Sequence, residues 1–215
     1  MIAGRPRNGA MERTAATLGR RRRGRKSPSN GTKPLPHLWF LTDPLRTPDP
    51  VLAIGDLPRG AAVIYRAFGA DDRLQTARAL RKLTRERGLM LLIGADWRLA
   101  AAVRAEGVHL PQRLMQLAPG LRRRRPDWTI TAAAHDAAAV VAGGRWGLDA
   151  LLVSAVFPSR SPSAGRALGP VRFGALVNLS RPPVMALGGV NGVTAVRLRG
   201  SRAAGLAGVE ALAHR

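Results

Sequence analysis

From His37 onward, short β-rich runs alternate with amphipathic helical stretches, and this alternation limits the fold more than any other feature of the sequence. A strand followed by a crossover helix, when repeated, builds a parallel sheet. The sequence contains eight β-rich runs, at residues 38–42, 62–66, 89–93, 107–110, 128–132, 150–154, 184–187 and 203–206. Eight repeats favour closure into a (β/α)8 TIM barrel over an open doubly wound sheet.

The helical stretches between these runs carry apolar faces that fit against a sheet. Apolar side chains recur at spacings of three and four in residues 71–87, and residues 97–105 follow the same pattern. We therefore predict a single small α/β domain over residues 37–215. In such a barrel, the residues that bind ligands follow the strands and gather at one face.

Residues 1–36 differ from the rest of the chain in composition. They contain ten lysine and arginine residues, one acidic residue, Glu12, and no hydrophobic periodicity. A segment of this kind buries too little apolar surface to offset the entropy of ordering it, so we predict a disordered basic tail. The basic run at residues 20–26 could contact nucleic acid or an acidic membrane. Alternatively, the tail is simply solvated, or the start codon has been assigned too early and Met11 is the true start.

The 215-residue chain carries a formal net charge of +22 at pH 7. Such a charge often indicates nucleic acid or acidic ligands. The arginines are scattered over predicted helices without clustered aromatic residues, which favours a general arginine bias instead. The sequence contains no cysteine, which excludes disulfides and thiolate metal sites. No segment has the apolar length of a membrane span or the pattern of a signal peptide, so we expect a cytoplasmic protein without a membrane partner.

Two glycine-rich segments near the C-terminus are candidates for phosphate binding. Ala186-Leu187-Gly188-Gly189-Val190 follows the seventh strand and leads into a helix expected near Asn191. Gly205-Leu206-Ala207-Gly208-Val209 is interpreted as a turn after the eighth strand that begins another short helix. Glycines let backbone N–H groups approach an anion, and loops after strands seven and eight of such barrels recurrently bind phosphate. The alternative is that these glycines only turn the chain.

The loop after the sixth strand is a third candidate, and it reads Val156-Phe157-Pro158-Ser159-Arg160-Ser161-Pro162-Ser163-Ala164-Gly165. Arg160 could donate two parallel hydrogen bonds to an anionic substrate, and Ser159 and Ser161 could supply neutral donors. A polar surface loop is the alternative, because serine, proline and glycine are common in loops.

Several motifs occur in an order and spacing that resemble the thiamine phosphate synthases and the related thiazole tautomerases. They are Gly107-Val108-His109-Leu110-Pro111-Gln112, Ala134-His135, Leu152-Val153-Ser154-Ala155-Val156-Phe157-Pro158-Ser159-Arg160-Ser161, Ala167-Leu168-Gly169 and Ala186-Leu187-Gly188-Gly189-Val190. The resemblance covers residues 37–212. It implies a (β/α)8 barrel and a transferase of thiamine biosynthesis that uses Mg²⁺. Such a transferase joins a hydroxymethylpyrimidine diphosphate to a thiazole phosphate and releases pyrophosphate.

The resemblance also implies roles for individual residues. The glycines would hold the thiazole phosphate, and the serines of the sixth loop would lie near the pyrophosphate. The substrate-binding residues that the resemblance implies are Gln112, Ser159, Ser161, Gly188, Gly189 and Gly208. The catalytic residues that it implies for this chain are His135, Arg66 and Arg160, and Arg66 matches a family arginine that contacts diphosphate.

The sequence departs from the family pattern where the metal would bind. The family's Gln-x-Arg-x-Lys motif reads Ile64-Tyr65-Arg66-Ala67-Phe68, and its Asn-Asp pair reads Gly94-Ala95, although Asp96 is adjacent. An acidic position after Gln112 holds Arg113. Mg²⁺ prefers carboxylate ligands, so the standard metal site is not expected. Either arginines supply the positive charge that Mg²⁺ would otherwise provide, or the chain does not perform the standard condensation. The candidate arginines are Arg66, Arg113 and Arg160.

His135 follows the fifth strand, where an imidazole could transfer protons near neutral pH. The matching histidine is the proposed proton-transfer residue of the thiazole tautomerases, but synthases carry one too. The imidazole could instead cap a helix beginning at Asp136. Three hypotheses remain: a thiamine phosphate synthase, a paralogue that tautomerises or only binds thiazole phosphate, and a nucleic-acid-associated protein acting through its tail.

Overall fold

The computed structural model describes residues 9–23, 34–159, 161, 165–210 and 212, and these residues form a closed barrel of eight parallel strands. Neighbouring strands pair in chain order, and the last strand pairs with the first. The strands are β1 Leu38–Leu41, β2 Ala62–Tyr65, β3 Met90–Gly94, β4 Gly107–Leu110, β5 Thr129–Ala134, β6 Ala150–Val153, β7 Val184–Ala186 and β8 Gly205–Gly208. The predicted (β/α)8 barrel is therefore confirmed, and each predicted run overlaps one strand.

Helices surround the barrel. The α-helices are α1 Gly9–Arg23, α2 Pro50–Ala53, α3 Arg73–Arg87, α4 Trp97–Ala102, α5 Ala118–Arg124, α6 Ala137–Arg145 and α7 Gly169–Leu179, and two 3₁₀ helices span Gln112–Leu117 and Ala195–Leu198. The second 3₁₀ helix lies where the sequence predicted a helix starting near Asn191. No helix among the described residues is long and apolar enough to cross a membrane.

The strands are buried on both faces because alternate side chains point into the barrel and out toward the helices. Outward residues such as Val63 and Leu91 belong to the large core shared with the helices. A separate interior cluster contains Trp39, Leu41, Ala62, Ile64, Leu92, Ala150, Leu152, Met185, Ala204 and Ala207. The barrel is thus filled with side chains, and its ligand-binding space lies above this filling.

His109 lies in the interior near the C-terminal ends of the strands. Its side chain is buried, and its Nδ1 lies 2.9 Å from Oγ1 of Thr131 on the neighbouring strand. Burial, with a smaller effect from the positive charge of Arg66, lowers the pKa of His109 to about 3. This imidazole is therefore neutral at physiological pH, consistent with a structural role at the strand-four turn.

The prediction of disorder across residues 1–36 is wrong for residues 9–23, which form α1. Met11, Ala15 and Leu18 are each at most 2% exposed, and the helix packs against β8, β1 and the Ala195–Leu198 helix. Gly19 lies so close to the His37 ring that a Cβ there would fall 2.2 Å from the His37 Cδ2. Burial of these apolar side chains offsets the entropy lost on ordering the helix, a contribution that the composition of residues 1–36 did not reveal. Residues 1–8 and 24–33 lie outside the described residues, so nucleic-acid binding through the tail remains a prediction.

Helix α1 covers part of the barrel where the chain leaves β8. The described residues that follow β8, at positions 209, 210 and 212, form no helix. The outer surface of β8 and β1 is covered instead by the N-terminal α1. The helix predicted to begin after Gly208 is therefore not found among these residues.

The eighth strand is also displaced from its predicted position. Gly205 to Gly208 form β8 itself, paired with β1 through Leu38 and Leu206, rather than a turn after it. The interpretation of this segment as a turn is wrong, whereas phosphate binding at Gly208, which lies at the C-terminal face, stays a prediction.

We predict that Leu18→Ala lowers the free energy of unfolding by about 2 to 5 kcal/mol, because it leaves a cavity under a buried helix. Urea unfolding followed by circular dichroism measures this change. Arg20→Ala is the matched control, because Arg20 is exposed on the same helix. Equal denaturation midpoints for the two variants would contradict the docking of α1.

We predict that His109→Gln makes stability less sensitive to acid. Between pH 6.5 and 3 the unfolded chain binds a proton at His109 that the folded chain does not, so wild-type stability falls as pH falls through this window. From pH 7 to 5 the wild type should lose about 2 kcal/mol more than the variant, by urea unfolding. An imidazole NMR signal of His109 that titrates near pH 6.5 in the folded protein would refute the argument.

Candidate active site

The C-terminal ends of the strands surround a cavity of about 1900 Å³. Residues from all eight strand ends line it, including six arginines and three carboxylates. The arginines are Arg46, Arg66, Arg73, Arg98, Arg113 and Arg197, and the carboxylates are Asp71, Asp96 and Glu210. The cavity is therefore suited to an anionic ligand.

The glycine turn after β7 is held tightly against the loop after β6. Gly188 has φ +88° and Gly189 has φ +64°, values that disfavour a side chain. A Cβ on Gly188 would lie 2.8 Å from the Ala155 Cα, and one on Gly189 would lie 2.3 Å from the Pro158 carbonyl oxygen. The Phe157 N–H donates to the Gly188 carbonyl at 2.9 Å, which joins the two loops. Only glycine fits at either position.

The same turn leaves N–H groups available at the cavity. Within the described part of the chain, the backbone N–H groups of Gly188, Gly189 and Val190 have no hydrogen-bond partner. The Gly189 carbonyl, by contrast, accepts from the Thr194 hydroxyl at 2.8 Å. The Asn191 side chain closes the turn by accepting from the Thr194 N–H at 3.0 Å. Successive unpaired N–H groups at a cavity wall can bind an anion.

Gly208 lies on the same side of the cavity, at the end of β8, and lines it together with Val209 and Glu210. A Cβ on Gly208 would meet only ordinary contacts at 3.5 Å or more, so glycine is not sterically required there. The Glu210 carboxylate would oppose a bound anion, but Arg46 lies 3.9 Å from it and offsets its charge.

Arg197 is a cavity residue that the sequence analysis missed. It lies in the 3₁₀ helix that follows the glycine turn, and its guanidinium sits 5.3 Å from the centre of the Phe157 ring. Because the Phe157 N–H is hydrogen-bonded to the Gly188 carbonyl, the contact between Arg197 and the Phe157 ring keeps Arg197 near the glycine turn. No sequence signal separated Arg197 from the many other scattered arginines.

Arg66 is held on the opposite side of the barrel from β6, at the end of β2. Its Nε donates to the Thr42 carbonyl oxygen at 2.7 Å, and its Nη2 donates to the Asp43 carboxylate at 3.2 Å. Asp43 also pairs with Arg46 at 2.8 Å. The hydrogen bond from Arg46 is the main reason that the pKa of Asp43 is lowered, and burial lowers the pKa of Arg66. Neither Asp43 nor Arg46 was predicted from sequence.

His135 lies at the cavity wall just after β5 and is exposed. Its Nδ1 lies 3.0 Å from the Ser154 carbonyl oxygen, which can only accept, and 3.2 Å from the Ser154 hydroxyl, so in the neutral imidazole the carbonyl favours a proton on Nδ1. The other ring nitrogen, Nε2, is then an acceptor. Helix α6 is capped by Asp136, whose carboxylate accepts from the Ala139 N–H at 2.7 Å. The interpretation of His135 as the helix cap is therefore wrong.

Gln112 is not among the residues that line the cavity, and the substrate-binding role implied by the resemblance stays a prediction. Its Oε1 accepts from the His135 N–H at 2.8 Å, and its Nε2 donates to Asp136 at 3.1 Å. The amide group is therefore occupied on both sides, and Gln112 positions His135.

The loop after β6 reaches the cavity through Ser159 and Ser161. The Ser161 N–H donates to the Ser159 hydroxyl at 3.3 Å. Arg160, predicted to be catalytic, lies outside the described residues. Arg113, at the start of the first 3₁₀ helix, does line the cavity.

The side chains at the cavity do not fit a Mg²⁺ ion. Asp96 Oδ1 accepts from the Leu99 N–H at 2.9 Å as the cap of α4, and Asp43 is engaged by two arginines. Among the described residues, no three histidine or acidic side chains come together at distances suited to a metal. Mg²⁺ in proteins is commonly held by one or two carboxylates together with waters and substrate phosphates, and here the Asp43 carboxylate and the Asp96 Oδ1 are already engaged.

Comparison with known proteins agrees with this architecture. The family model described as thiamine monophosphate synthase matches residues 51–212. A thiamine-phosphate synthase from Thioalkalivibrio sulfidiphilus is 36% identical over 157 residues, covering 67% of this chain and 74% of that protein. One from Chloroflexus aurantiacus is 32% identical over 157 residues, covering 71% and 72%. The chain spans 61% of the length of a Limosilactobacillus fermentum thiamine-phosphate synthase at 28% identity.

Among solved structures, the thiamine phosphate pyrophosphorylase of Pyrococcus furiosus superposes with a TM-score of 0.65 at 24% identity, covering 80% of this chain and 84% of that one. This likeness supports the barrel fold. The family match over three-quarters of the sequence, together with relatives above 30% identity, shows that the chain belongs to the thiamine monophosphate synthase family.

Proposed function

We propose that this chain is a transferase of thiamine biosynthesis that joins a hydroxymethylpyrimidine diphosphate to a thiazole phosphate and releases pyrophosphate. One observation carries the proposal: the unpaired N–H groups of Gly188–Val190 and the guanidinium of Arg66 open into one cavity. Ligand pockets usually have volumes of about 300 to 1,000 Å³, so a cavity of about 1900 Å³ has room for two substrates together.

In this reaction the thiazole phosphate would bind at the glycine turn. Three consecutive N–H groups offer donors to phosphate oxygens, and Arg197 nearby adds positive charge. The narrow fit of Gly188 and Gly189 against the β6 loop holds these donors in a fixed direction. Phosphate binding at this turn would then orient the thiazole ring toward the middle of the cavity.

The diphosphate would face the arginines. As the bond between the pyrimidine methylene carbon and the diphosphate oxygen breaks, the electron pair leaves with pyrophosphate. The thiazole nitrogen then forms the new C–N bond with its own lone pair. Negative charge develops on the leaving oxygen, and fixed guanidinium groups stabilise it. Arg66 and Arg113 line the cavity and are available for this role.

Incubation of the purified protein with both substrates, followed by chromatography for thiamine phosphate, tests the proposal directly. Complementation of a thiamine-requiring bacterial strain provides a second readout. Absence of product in vitro, with and without added Mg²⁺, would remove the condensation from consideration.

A paralogue that tautomerises a thiazole phosphate is the second candidate, and the geometry of His135 favours it. The bond from Nδ1 to the Ser154 carbonyl leaves Nε2 free to accept a proton from a ligand carbon and return it to another. The same glycine turn would bind the phosphate in either reaction. The two functions therefore differ in whether the imidazole or the arginines are essential.

We predict that Gly189→Ala weakens thiazole phosphate binding by about tenfold or more, a change of about 1.4 kcal/mol. The added Cβ would lie 2.3 Å from the Pro158 carbonyl oxygen and displace the turn. Isothermal titration calorimetry measures the dissociation constant. Gly174→Ala is the control, because a Cβ at this helical position meets nothing within 4 Å. Equal affinity in both variants would argue against a phosphate site at the turn.

We predict that His135→Asn separates the two functions. If the protein is a synthase, the variant should keep thiamine phosphate formation within about threefold, because no step needs a proton at this position. A tautomerase should lose about 100-fold or more in turnover. Product formation and ring-proton exchange, followed by NMR, measure the two activities. A large loss of condensation in this variant would contradict the mechanism assigned to the synthase.

A further inference from the structure

Asp43 is placed between two arginines at the edge of the cavity. Its Oδ2 lies 2.8 Å from Arg46 Nη2 and 3.2 Å from Arg66 Nη2. Its Oδ1 accepts the backbone N–H groups of Leu45 and Arg46, each at 3.2 Å. Both carboxylate oxygens are thus engaged, and one negative charge is shared by two positive ones.

Arg66 is rigidly positioned for a ligand. Its backbone N–H donates to the Thr42 hydroxyl at 2.9 Å, and its Nε donates to the Thr42 carbonyl oxygen at 2.7 Å. The Phe68 ring lies 5.2 Å from the guanidinium carbon. A guanidinium has five N–H donors, and contacts within the described part of the chain use two of them, which leaves three for a ligand in the cavity.

The charge of this group is suited to an anion rather than to a metal ion. A divalent cation would meet two guanidinium groups beside Asp43, whose two oxygens already accept hydrogen bonds, and the nearby Glu210 carboxylate lies 3.9 Å from Arg46. A diphosphate, in contrast, would meet fixed donors that require no rearrangement on binding. Guanidinium groups also match phosphate oxygens in geometry, because their N–H groups point in parallel pairs.

We propose that Arg66 and Arg46, held together by Asp43, bind the diphosphate end of the substrate directly, without a divalent cation. The identity of that substrate rests on the proposed function, whereas the binding of inorganic pyrophosphate does not. In this arrangement the arginines supply the positive charge that offsets the leaving group.

Calorimetric titration of the full chain with inorganic pyrophosphate tests this proposal, once in EDTA and once in excess Mg²⁺. We expect the dissociation constant in EDTA to equal or fall below that in Mg²⁺. Arg66→Ala should weaken binding in EDTA by about tenfold or more, since it removes a charge-assisted contact. Binding that requires Mg²⁺ would overturn the proposal, as would unchanged affinity in a folded Arg66→Ala protein.

Asp43→Asn distinguishes the two possibilities by the buffer in which it acts. The amide keeps an oxygen for the Leu45 and Arg46 N–H groups but removes the negative charge that holds both arginines in place. Pyrophosphate binding should therefore weaken by a similar factor, about fivefold, in EDTA and in Mg²⁺. A carboxylate that held Mg²⁺ would instead give a loss confined to Mg²⁺, and that result would sink the proposal. This variant also provides the answer if Arg66→Ala does not fold.

Asp96→Asn is the matched control, because asparagine caps helices as well as aspartate does but is a poorer metal ligand. It should leave pyrophosphate affinity unchanged in both buffers. A loss confined to Mg²⁺ would identify Asp96 as a metal ligand and overturn the cation-free site. If pyrophosphate binds as predicted and no thiamine phosphate forms, the proposed function fails while this inference stands.

Discussion

The close contact between the loops after β6 and β7 is the constraint on which the candidate site depends. The Phe157 N–H donates to the Gly188 carbonyl, and the backbone of Gly188 and Gly189 leaves no space for a Cβ against Ala155 and Pro158. This contact occupies the Gly188 carbonyl, whereas the N–H groups of Gly188 and Gly189, residues that line the cavity, have no partner among the described residues. A phosphate site of this kind is made of backbone, so its chemistry survives where side chains around it have changed.

On the arginine side of the cavity, by contrast, the hydrogen-bond donors come from side chains rather than from the backbone. Arginines are repelled from one another unless a carboxylate lies between them, and Asp43 fulfils that role for Arg46 and Arg66. The same bonds that hold these side chains in place withdraw Asp43 from metal binding.

The sequence was sufficient for the barrel, because strand burial on both faces and helical periodicity are local patterns that the fold preserves. It failed at β8, where Gly205 resembles a turn residue; in the structure a Cβ there would lie 2.2 Å from the His37 carbonyl oxygen, a contact between distant segments. The bonds of Gln112 to His135 and Asp136 likewise join segments distant in sequence, so the sequence did not reveal them. The glycine turn and Arg66 do line the cavity, because their position after a strand was itself legible in the sequence.

Helix α1 also bears on the candidate site. The buried residues Met11, Ala15 and Leu18 do recur at helical spacing, contrary to the absence of periodicity inferred for residues 1–36, and they pack against β1, the Ala195–Leu198 helix and β8. Met11 reaches the end of that strand, where its Cε lies 3.6 Å from the position of a Cβ on Gly208. Because Gly208 lines the cavity, the N-terminal helix supports one wall of the ligand site from outside. The segment that looked most dispensable in the sequence is therefore part of what holds the cavity in shape.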